Sequence, residues 1–361
     1  MKPTFLFAIA IFVLFSSCNQ RQESDIKEIE ISYKMADGKI EDLIKSYELI
    51  QLDTCIEAHF TYATKIVYQD NMYFIKDENK VLIFGDNGEF LNSIERKGRG
   101  PDEYVYLEDF YYDKAKKEIV LVAQGNLLIF DINGELIRKE KPGFRFDNIL
   151  ITQDRNYAFG RTFPTGNLTN DYNLLYANEK FELINKKTRL PIRNEGGGMM
   201  LGQSNRANSN FRRDYYFSLY CDTVYQLKGE NIVPELVFRY DKDIFSITGG
   251  GQELDRDNNY LHFAYAEIEK YRLLRFSFNW VQYLAIINKA SLETMVFECG
   301  YDFDITNLDG NTFLVNLFPQ FIENFPEIYA AEKCTNTDMF ERLTNNPKAI
   351  DNIIVRVELD L

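Results

Sequence analysis

Two stretches of the chain decide the fold, because each carries the same pattern of apolar residues around an Asn-Gly pair. The first is VLIFGDNGEFL, residues 81–91, and the second is LLIFDINGELI, residues 127–137. Six of their first ten positions are identical, at an offset of 46 residues. Asn-Gly between apolar runs predicts a β-hairpin with a type I′ turn, which needs positive φ at both central residues. The two stretches therefore predict a hairpin that is repeated along the chain.

Weaker copies of the pattern continue the repeat. A further step of 46 residues from Phe130 reaches Tyr176, within NLLYANEKFEL, where the Asn-Gly pair is lost. Looser copies span residues 222–238 and 282–297. In the first unit two more strand-like runs, KIVYQ and MYFIKD, precede the hairpin. Four short strands per unit of this length match one propeller blade. We therefore predict an all-β fold, a six-bladed β-propeller with four-stranded blades.

The stretch KGRGPDEY, residues 97–104, lies between the first two units and contains two glycines and a proline. After the last strand of one blade the chain must cross to the first strand of the next, and a glycine permits the sharp bend. Glycines recur at each expected crossover: Gly98 and Gly100, Gly143, Gly196 to Gly198, Gly249 to Gly251, and Gly300. These five crossovers separate six units.

The two ends of the repeat region predict how the ring closes. YELIQL, residues 47–52, stands alone before the first unit, and IIVRVEL, residues 353–359, ends the chain. Propellers commonly close by pairing strands from both termini in one blade, which removes an open sheet edge. We expect that closure here, in the last blade. Residues 326–346 break the strand pattern with helical apolar spacing, which predicts a small helical insertion near the C-terminus.

The N-terminal segment has the features of a bacterial lipoprotein signal. The apolar run from Phe5 to Phe15 is too short to cross a bilayer as a helix, but it fits the apolar region of a secretory signal. Two serines precede Cys18, as in a lipobox, where the peptidase cuts before a cysteine that is acylated. Such a lipid anchors the chain to the membrane. We predict a signal peptide over residues 1–17, lipidation at Cys18, a tether over 18–27 and the propeller over 28–361; an ordinary signal peptide is the alternative.

Composition narrows the classes of partner. The chain has 55 acidic and 41 basic residues, a net charge of −14, which disfavours nucleic acid because that affinity comes mainly from Lys and Arg. After Cys18 the chain has Cys55, Cys221, Cys299 and Cys334, with no CxxC pair, so we predict no zinc site. We expect buried single thiols, while three disulfide pairings stay open.

No catalytic set is predicted. The chain has two histidines, His59 and His262, and no HExxH, GxSxG or P-loop motif. The acidic turns DNGE and DINGE indicate hairpins, because a calcium-binding EF-hand needs a longer alternation of acids. We assign no metal ligand and no cofactor. A calcium ion held in the axial tunnel by acids from different blades stays open.

The crossover loops are the predicted ligand face, because in a propeller they gather at one entrance of the axial tunnel. The candidate residues in these loops are Arg99, Asp102, Glu103, Tyr104, Arg145, Arg206, Arg212 and Arg213. The last three lie in one long loop, residues 195–214, and together suit a carboxylate or sulfate group. A solvated loop without a ligand is the alternative interpretation.

The first crossover also carries a resemblance. GRGPDEY followed by LEDFYYD resembles the G-x-G-P-x-E-Y…F…D signature of six-bladed β-propeller lipoproteins from Bacteroidetes, relatives of the NHL-repeat propellers. SYELIQLDT and CDTVYQL are similar to further elements of that family. The resemblance covers residues 26–361 and implies the same fold and an outer-membrane lipoprotein of the cell envelope. It implies no activity and no catalytic residue. Soon after Cys18 only Glu23 and Asp25 are acidic, so the periplasmic and the cell-surface side both stay open.

These observations favour a lipid-anchored, non-enzymatic binding or scaffold module for a glycan, a peptide or a partner protein. The alternative is a propeller enzyme, such as a metal-dependent lactonase or a polysaccharide lyase or hydrolase, that uses carboxylates at the axial tunnel. A structural subunit of an outer-membrane complex is a third hypothesis. Three or more carboxylates converging within about 5 Å on the axis would favour the enzyme.

Overall fold

The computed structural model describes residues 26–61, 63–160, 172–189, 215–217, 222–242, 260–299, 305, 308–309, 312–317, 331–345 and 352–361. These residues form 25 β-strands in six small sheets. The sheets are arranged in a ring, so the predicted six-bladed propeller is confirmed. Within this part of the chain, no helix is both long enough and apolar enough to cross a membrane.

Three strands and three short 3-10 helices precede the first blade. The strands are β1 (Lys27–Ile31), β2 (Ala36–Lys39) and β3 (Ile44–Gln51). The 3-10 helices are Tyr33–Met35, Ile40–Leu43 and Ile56–Ala58.

Blades 1 to 3 are antiparallel meanders of four consecutive strands. Blade 1 contains β4 (Ala63–Gln69), β5 (Met72–Asp77), β6 (Lys80–Gly85) and β7 (Phe90–Glu95). Blade 2 contains β8 (Asp109–Asp113), β9 (Glu118–Ala123), β10 (Asn126–Phe130) and β11 (Leu136–Glu140). Blade 3 contains β12 (Asn148–Ile151), β13 (Tyr157–Gly160), β14 (Tyr172–Ala177) and β15 (Leu183–Arg189).

Blades 4 to 6 combine later strands with the N-terminal ones. Blade 4 contains β16 (Tyr215–Tyr216), β17 (Thr223–Lys228) and β18 (Asn231–Tyr240), and β1 joins it as a fourth strand. Blade 5 contains β19 (Leu261–Glu267), β20 (Tyr271–Phe278), β21 (Val281–Asn288) and β22 (Thr294–Glu298), joined by β2. Blade 6 contains β23 (Leu308–Asp309), β24 (Thr312–Leu317) and β25 (Ile353–Leu359), joined by β3.

The ring closes in blade 6, as the sequence predicts. β3 pairs antiparallel with β25, with Leu49 opposite Val355. The predicted helical insertion is also present, as a 3-10 helix at Ala331–Lys333 and helix α1 (Thr337–Asn345). The side chain of Asn336 holds it to β3, because its amide donates to the carbonyl oxygen of Leu49 at 2.6 Å and its oxygen accepts the amide of Leu49 at 3.1 Å.

The N-terminal segment does more than close the ring, which the sequence did not predict. β1 pairs parallel with β18, and β2 pairs parallel with β22, so blade 5 has five strands rather than four. Tyr33, between β1 and β2, stacks on Phe278 with ring centroids 4.2 Å apart. The Lys34 ammonium lies 2.8 Å from the carboxylate of Asp241. The segment therefore covers sheet edges that would otherwise be open to pairing with another chain.

The hairpin predicted from the Asn-Gly pairs is confirmed, but its turn type is different. In the β6–β7 turn only Gly88 takes positive φ, +87°, and in the β10–β11 turn only Gly134, +80°; the asparagine of neither turn does. The N–H of Gly85 donates to the oxygen of Glu89 at 2.8 Å, and the pairing of β6 with β7 shifts by one residue here. A type I turn followed by a left-handed residue has this geometry. In blade 3 Phe181 takes the glycine's position at φ +63°.

The hydrophobic core lies between the blades. Among the described residues there are six apolar clusters, and each joins two neighbouring blades of the ring. In β5 the side chain of Phe74 packs toward blade 2, where it stacks on Tyr112 at 4.4 Å, while Tyr73 and Ile75 pack toward blade 6. Both faces of such a strand are buried, which explains the continuous apolar runs in the sequence. Each fully buried aromatic ring contributes about 2–3 kcal/mol.

The cysteines depart in part from the prediction of buried thiols. Cys334 is buried and Cys299 is partly buried, but Cys55 is exposed, and all three are free. Cys55 lies at the start of the short 3-10 helix Ile56–Ala58, where only Ala58 turns inward. Cys221 lies outside the described residues.

Candidate functional site

The described crossovers lie on one face of the ring. Since the strands of blades 1 to 3 alternate in direction, segments 52–61, 96–108 and 141–147 all connect blades at the same face. The β5–β6 and β9–β10 turns share it. We call this the crossover face. It contains the predicted residues Arg99, Asp102, Glu103, Tyr104 and Arg145. The other predicted residues, Cys18, Arg206, Arg212 and Arg213, lie outside the described part of the chain, as do Gly196 to Gly198, Gly249 to Gly251 and Gly300.

The stretch KGRGPDEY forms a compact corner that is closed by its own backbone. The N–H of Gly98 donates to the oxygen of Tyr104 at 2.9 Å, and the N–H of Tyr104 donates to the oxygen of Arg96 at 2.9 Å. The carboxylate of Glu103 accepts the N–H of Gly100 at 2.7 Å. A Cβ on Gly98 would lie 1.9 Å from the same carboxylate. A side chain at residue 98 would therefore have to displace the Glu103 carboxylate, which is exposed and able to move.

Tyr104 belongs to this corner and does not face a ligand. It is only 1% exposed, and its hydroxyl donates to the backbone oxygen of Asn79 at 2.6 Å. Burial raises the pKa of Tyr104 to about 12. Arg99, Asp102 and Glu103 are exposed at the surface of the corner. The first crossover therefore offers charged groups on an exposed surface.

A groove lies beside the second crossover, on top of blade 2. Its volume is about 500 Å³. Its described lining consists of Glu108, Gln124, Gly125, Lys141, Gly143, Phe144, Arg145 and Phe146. The β9–β10 turn forms one wall, and the crossover from β11 to β12 forms the other. Of the predicted candidates, Arg145 lines this groove.

Comparison of blades 1 and 2 explains why the groove occurs here. In blade 1 the β5–β6 turn ends in Asn79, whose side chain accepts the N–H of Leu107 at 3.0 Å and whose carbonyl holds Tyr104. Gly125 stands at the matching place of the β9–β10 turn and has no side chain. Gly143, at φ +85°, has open space where a Cβ would be. Blade 2 thus lacks the groups that fill the corresponding space in blade 1.

Glu108 is held at the base of the groove. Its carboxylate accepts the backbone N–H of Gln124 at 2.8 Å. Burial raises the pKa of Glu108, and the hydrogen bond from Gln124 offsets part of that rise. The side chain of Gln124 in turn accepts the N–H of Val105 at 3.1 Å, which ties the first crossover to the β9–β10 turn. The carboxyl is therefore fixed in place and half-buried.

The opposite wall is cationic and aromatic. Lys141 and Arg145 are exposed, and neither has a hydrogen-bond or ion-pair partner among the described residues. Phe144 is half-buried and packs edge-on against Phe159, with ring centroids 5.0 Å apart, so its position is fixed. The groove can therefore offer two exposed cations and a phenyl ring on one side and a carboxyl on the other, and the charge of Arg145 also lowers the pKa of Glu108.

Sequence reasoning did not select Glu108, Gln124 or Lys141. The repeat does contain a signal for the groove, because alignment of the second unit with the first places Gly125 opposite Asn79. A glycine in place of an asparagine removes a side chain from that turn. The axial metal site that stayed open has no support in the described part of the chain, where no three His, Cys, Asp or Glu residues cluster. The carboxylate of Asp109 in blade 2 forms an ion pair with the ammonium of Lys65 in blade 1, with the nitrogen and oxygen atoms 2.9 Å apart.

Comparison with known proteins places the chain in a family. The profile of the Domain of unknown function (DUF4934) matches residues 26–356. The search of curated proteins gives no match. Among solved structures, a Bacteroides fragilis protein named as a candidate exported protein is 18% identical, with a TM-score of 0.72, and the match covers 93% of this chain and 100% of that one. A member of the DUF4221 family from Bacteroides vulgatus is 11% identical, with a TM-score of 0.53, over 88% of this chain and 97% of that one. At these identities the solved structures show a shared fold, and because the profile spans nearly all the described residues, the chain belongs to the DUF4934 family.

Proposed function

We propose that the chain is an exported binding or scaffold module of the cell envelope, which holds its ligand or partner at the crossover face. The groove on top of blade 2 is the observation that carries this proposal. Its volume of about 500 Å³ falls within the range of small-molecule sites. Free charged groups at a fixed cavity are typical of binding sites, since their hydrogen-bonding capacity is left for a ligand.

A lipid anchor at Cys18 is the second part of the proposal. It is supported by the apolar run and the two serines before Cys18, and by the similar fold of the Bacteroides fragilis protein named as a candidate exported protein. The resemblance to Bacteroidetes propeller lipoproteins favours the outer membrane. Membrane fractionation of the Cys18→Ala variant tests this, because a chain without the acylated cysteine should leave the membrane fraction. If that variant stays with the outer membrane, the anchor is elsewhere.

Binding is tested by screening the full chain, solubilised in detergent, against a glycan array and by peptide pull-down. Each ligand found is then titrated against the Arg145→Ala variant. The matched control is Lys180→Ala, which removes an exposed cation from the β14–β15 hairpin on the opposite face. We expect Arg145→Ala to weaken binding and Lys180→Ala to leave it unchanged. A ligand that binds both variants like the unmodified chain would place the binding site away from the groove.

A further inference from the structure

The groove on top of blade 2 also indicates the chemical class of the ligand. We propose that it binds a small acidic saccharide through the carboxylate of a sugar acid. This inference rests on the proposed function of the crossover face and adds a substrate class to it.

The charges of the lining favour an anionic group. Among the described residues that line the groove, Lys141 and Arg145 are the cations and Glu108 is the one acid. Both cations belong to the crossover from β11 to β12, and Arg145 also interacts electrostatically with Glu108. A guanidinium binds a carboxylate through two parallel hydrogen bonds, and a lysine adds a point charge. The crossover wall is therefore suited to one carboxylate.

The remaining groups suit a ligand with hydroxyls and an apolar ring face. Glu108 is fixed by the amide of Gln124 on one oxygen, which leaves capacity to accept hydrogen bonds from hydroxyls. Phe144 presents a ring held by Phe159. Saccharides pack their apolar ring faces on such aromatic side chains while their hydroxyls form hydrogen bonds.

An extended peptide fits the groove less well. Peptides in that conformation commonly bind by adding a strand to an open sheet edge. The strands that lead into the groove, β9 and β10, are each paired on both sides within blade 2. The lining consists of turn and crossover residues, and a volume of about 500 Å³ suits a ligand of one or two sugar rings better than a chain that runs across the face.

Isothermal titration of the detergent-solubilised full chain tests this with three probes: digalacturonic acid, its neutral methyl ester, and triglutamate. We expect digalacturonic acid to bind most tightly. Loss of a charge-assisted hydrogen bond weakens binding about tenfold or more. Arg145→Ala removes one of the two cations and should bind about tenfold more weakly, and the methyl ester, which loses its contacts with both cations, should bind at least tenfold more weakly. Lys180→Ala is the control and should bind like the unmodified chain. Both substitutions are at exposed side chains, so circular dichroism should remain unchanged.

The outcomes separate this inference from the proposed function. Equal binding of the acid and its ester overturns the role of the carboxylate, although dependence on Arg145 would still support a binding site in the groove. Tighter binding of triglutamate than of digalacturonic acid overturns the saccharide class. If none of the three probes binds, the inference is wrong, and the array and pull-down experiments decide the proposed function separately.

Discussion

Replacement of Gly88 by alanine tests how the ring closes between blades 6 and 1. Gly88 has φ +87°, and a left-handed conformation costs an L-residue about 1–2 kcal/mol. A Cβ on Gly88 would also lie 2.1 Å from the backbone oxygen of Gln51, at the end of β3. Because that oxygen belongs to a paired strand, it cannot rotate away as a side chain can. The blade 1 hairpin and β3 must therefore separate.

Separation removes two hydrogen bonds at this junction. The N–H of Asp53 donates to the oxygen of Gly88 at 2.9 Å, and the carboxylate of Asp53 accepts the N–H of Phe90 at 2.8 Å. Each contributes about 1 kcal/mol, since Asp53 is exposed and its charge is screened by water. The backbone strain and the loss of both hydrogen bonds add up, so we expect Gly88→Ala to lower the free energy of unfolding by about 3–4 kcal/mol.

Gly134 provides the matched control, because it occupies the same turn position in blade 2 at φ +80°. A Cβ there would lie 3.0 Å from the side-chain amide of Asn92, which is able to move. Gly134→Ala should therefore cost only the strain of about 1–2 kcal/mol. Urea unfolding of the full chain, followed by circular dichroism, measures both variants. If Gly88→Ala destabilises the chain no more than Gly134→Ala, the contact with Gln51 does not hold the ring closed.

Three further changes test other parts of the fold by the same unfolding assay. Tyr104→Phe should lower the free energy of unfolding by about 1 kcal/mol, because it removes a buried hydrogen bond; no change would mean that the corner does not depend on it. Arg155→Ala should cost about 2 kcal/mol or more, because Asp113 is 4% exposed at its side chain and would lose its partner in blade 3; a value near zero would mean that blades 2 and 3 do not rely on this pair. Hydrogen bonds from Lys34 and Tyr260 hold the pKa of Asp241 below its usual value. A lowered folded-state pKa stabilises the fold above the unfolded pKa of about 4, and this contribution is lost as the pH falls through the lowered value. Asp241→Asn should therefore destabilise the chain at pH 6, and this cost should shrink as the pH falls below about 4; a cost that is independent of pH would contradict this.

Local sequence signals were sufficient for much of the fold. The Asn-Gly pairs predicted the hairpins, because a turn depends on backbone conformation within a few residues. Gly98 marked the corner of the first crossover, although its own φ is not positive. The pairing of β3 with β25 was predictable because two unpaired strand patterns remained at the two ends of the repeat. The parallel pairing of β1 with β18 had no such signal, since it joins residues more than 200 positions apart and needs no turn.

The site was harder to predict, because position in a loop does not determine exposure. Tyr104 was selected for its place in the first crossover, yet its ring fills the space above the β5–β6 turn. Arg145 was selected by the same rule and does line a cavity. Tyr104 and Arg145 differ because different turns lie beneath their crossovers. The first crossover forms hydrogen bonds with Asn79, whereas the second lies over a turn that ends in Gly125, which has no side chain.

A repeated fold can form a binding site by leaving out side chains. Blades 1 to 3 share the same outer hairpin and are packed by apolar clusters on both sides, so those positions are constrained in each of these units. The space between a crossover and the turn beneath it is less constrained, because blade 2 keeps its apolar clusters although Gly125 and Gly143 carry no side chains there. In blade 1 Tyr104 and Asn79 fill it, and in blade 2 Gly125 and Gly143 leave it open. The residues that line an open space of this kind are free to acquire charges such as Lys141 and Arg145, because the core does not depend on them.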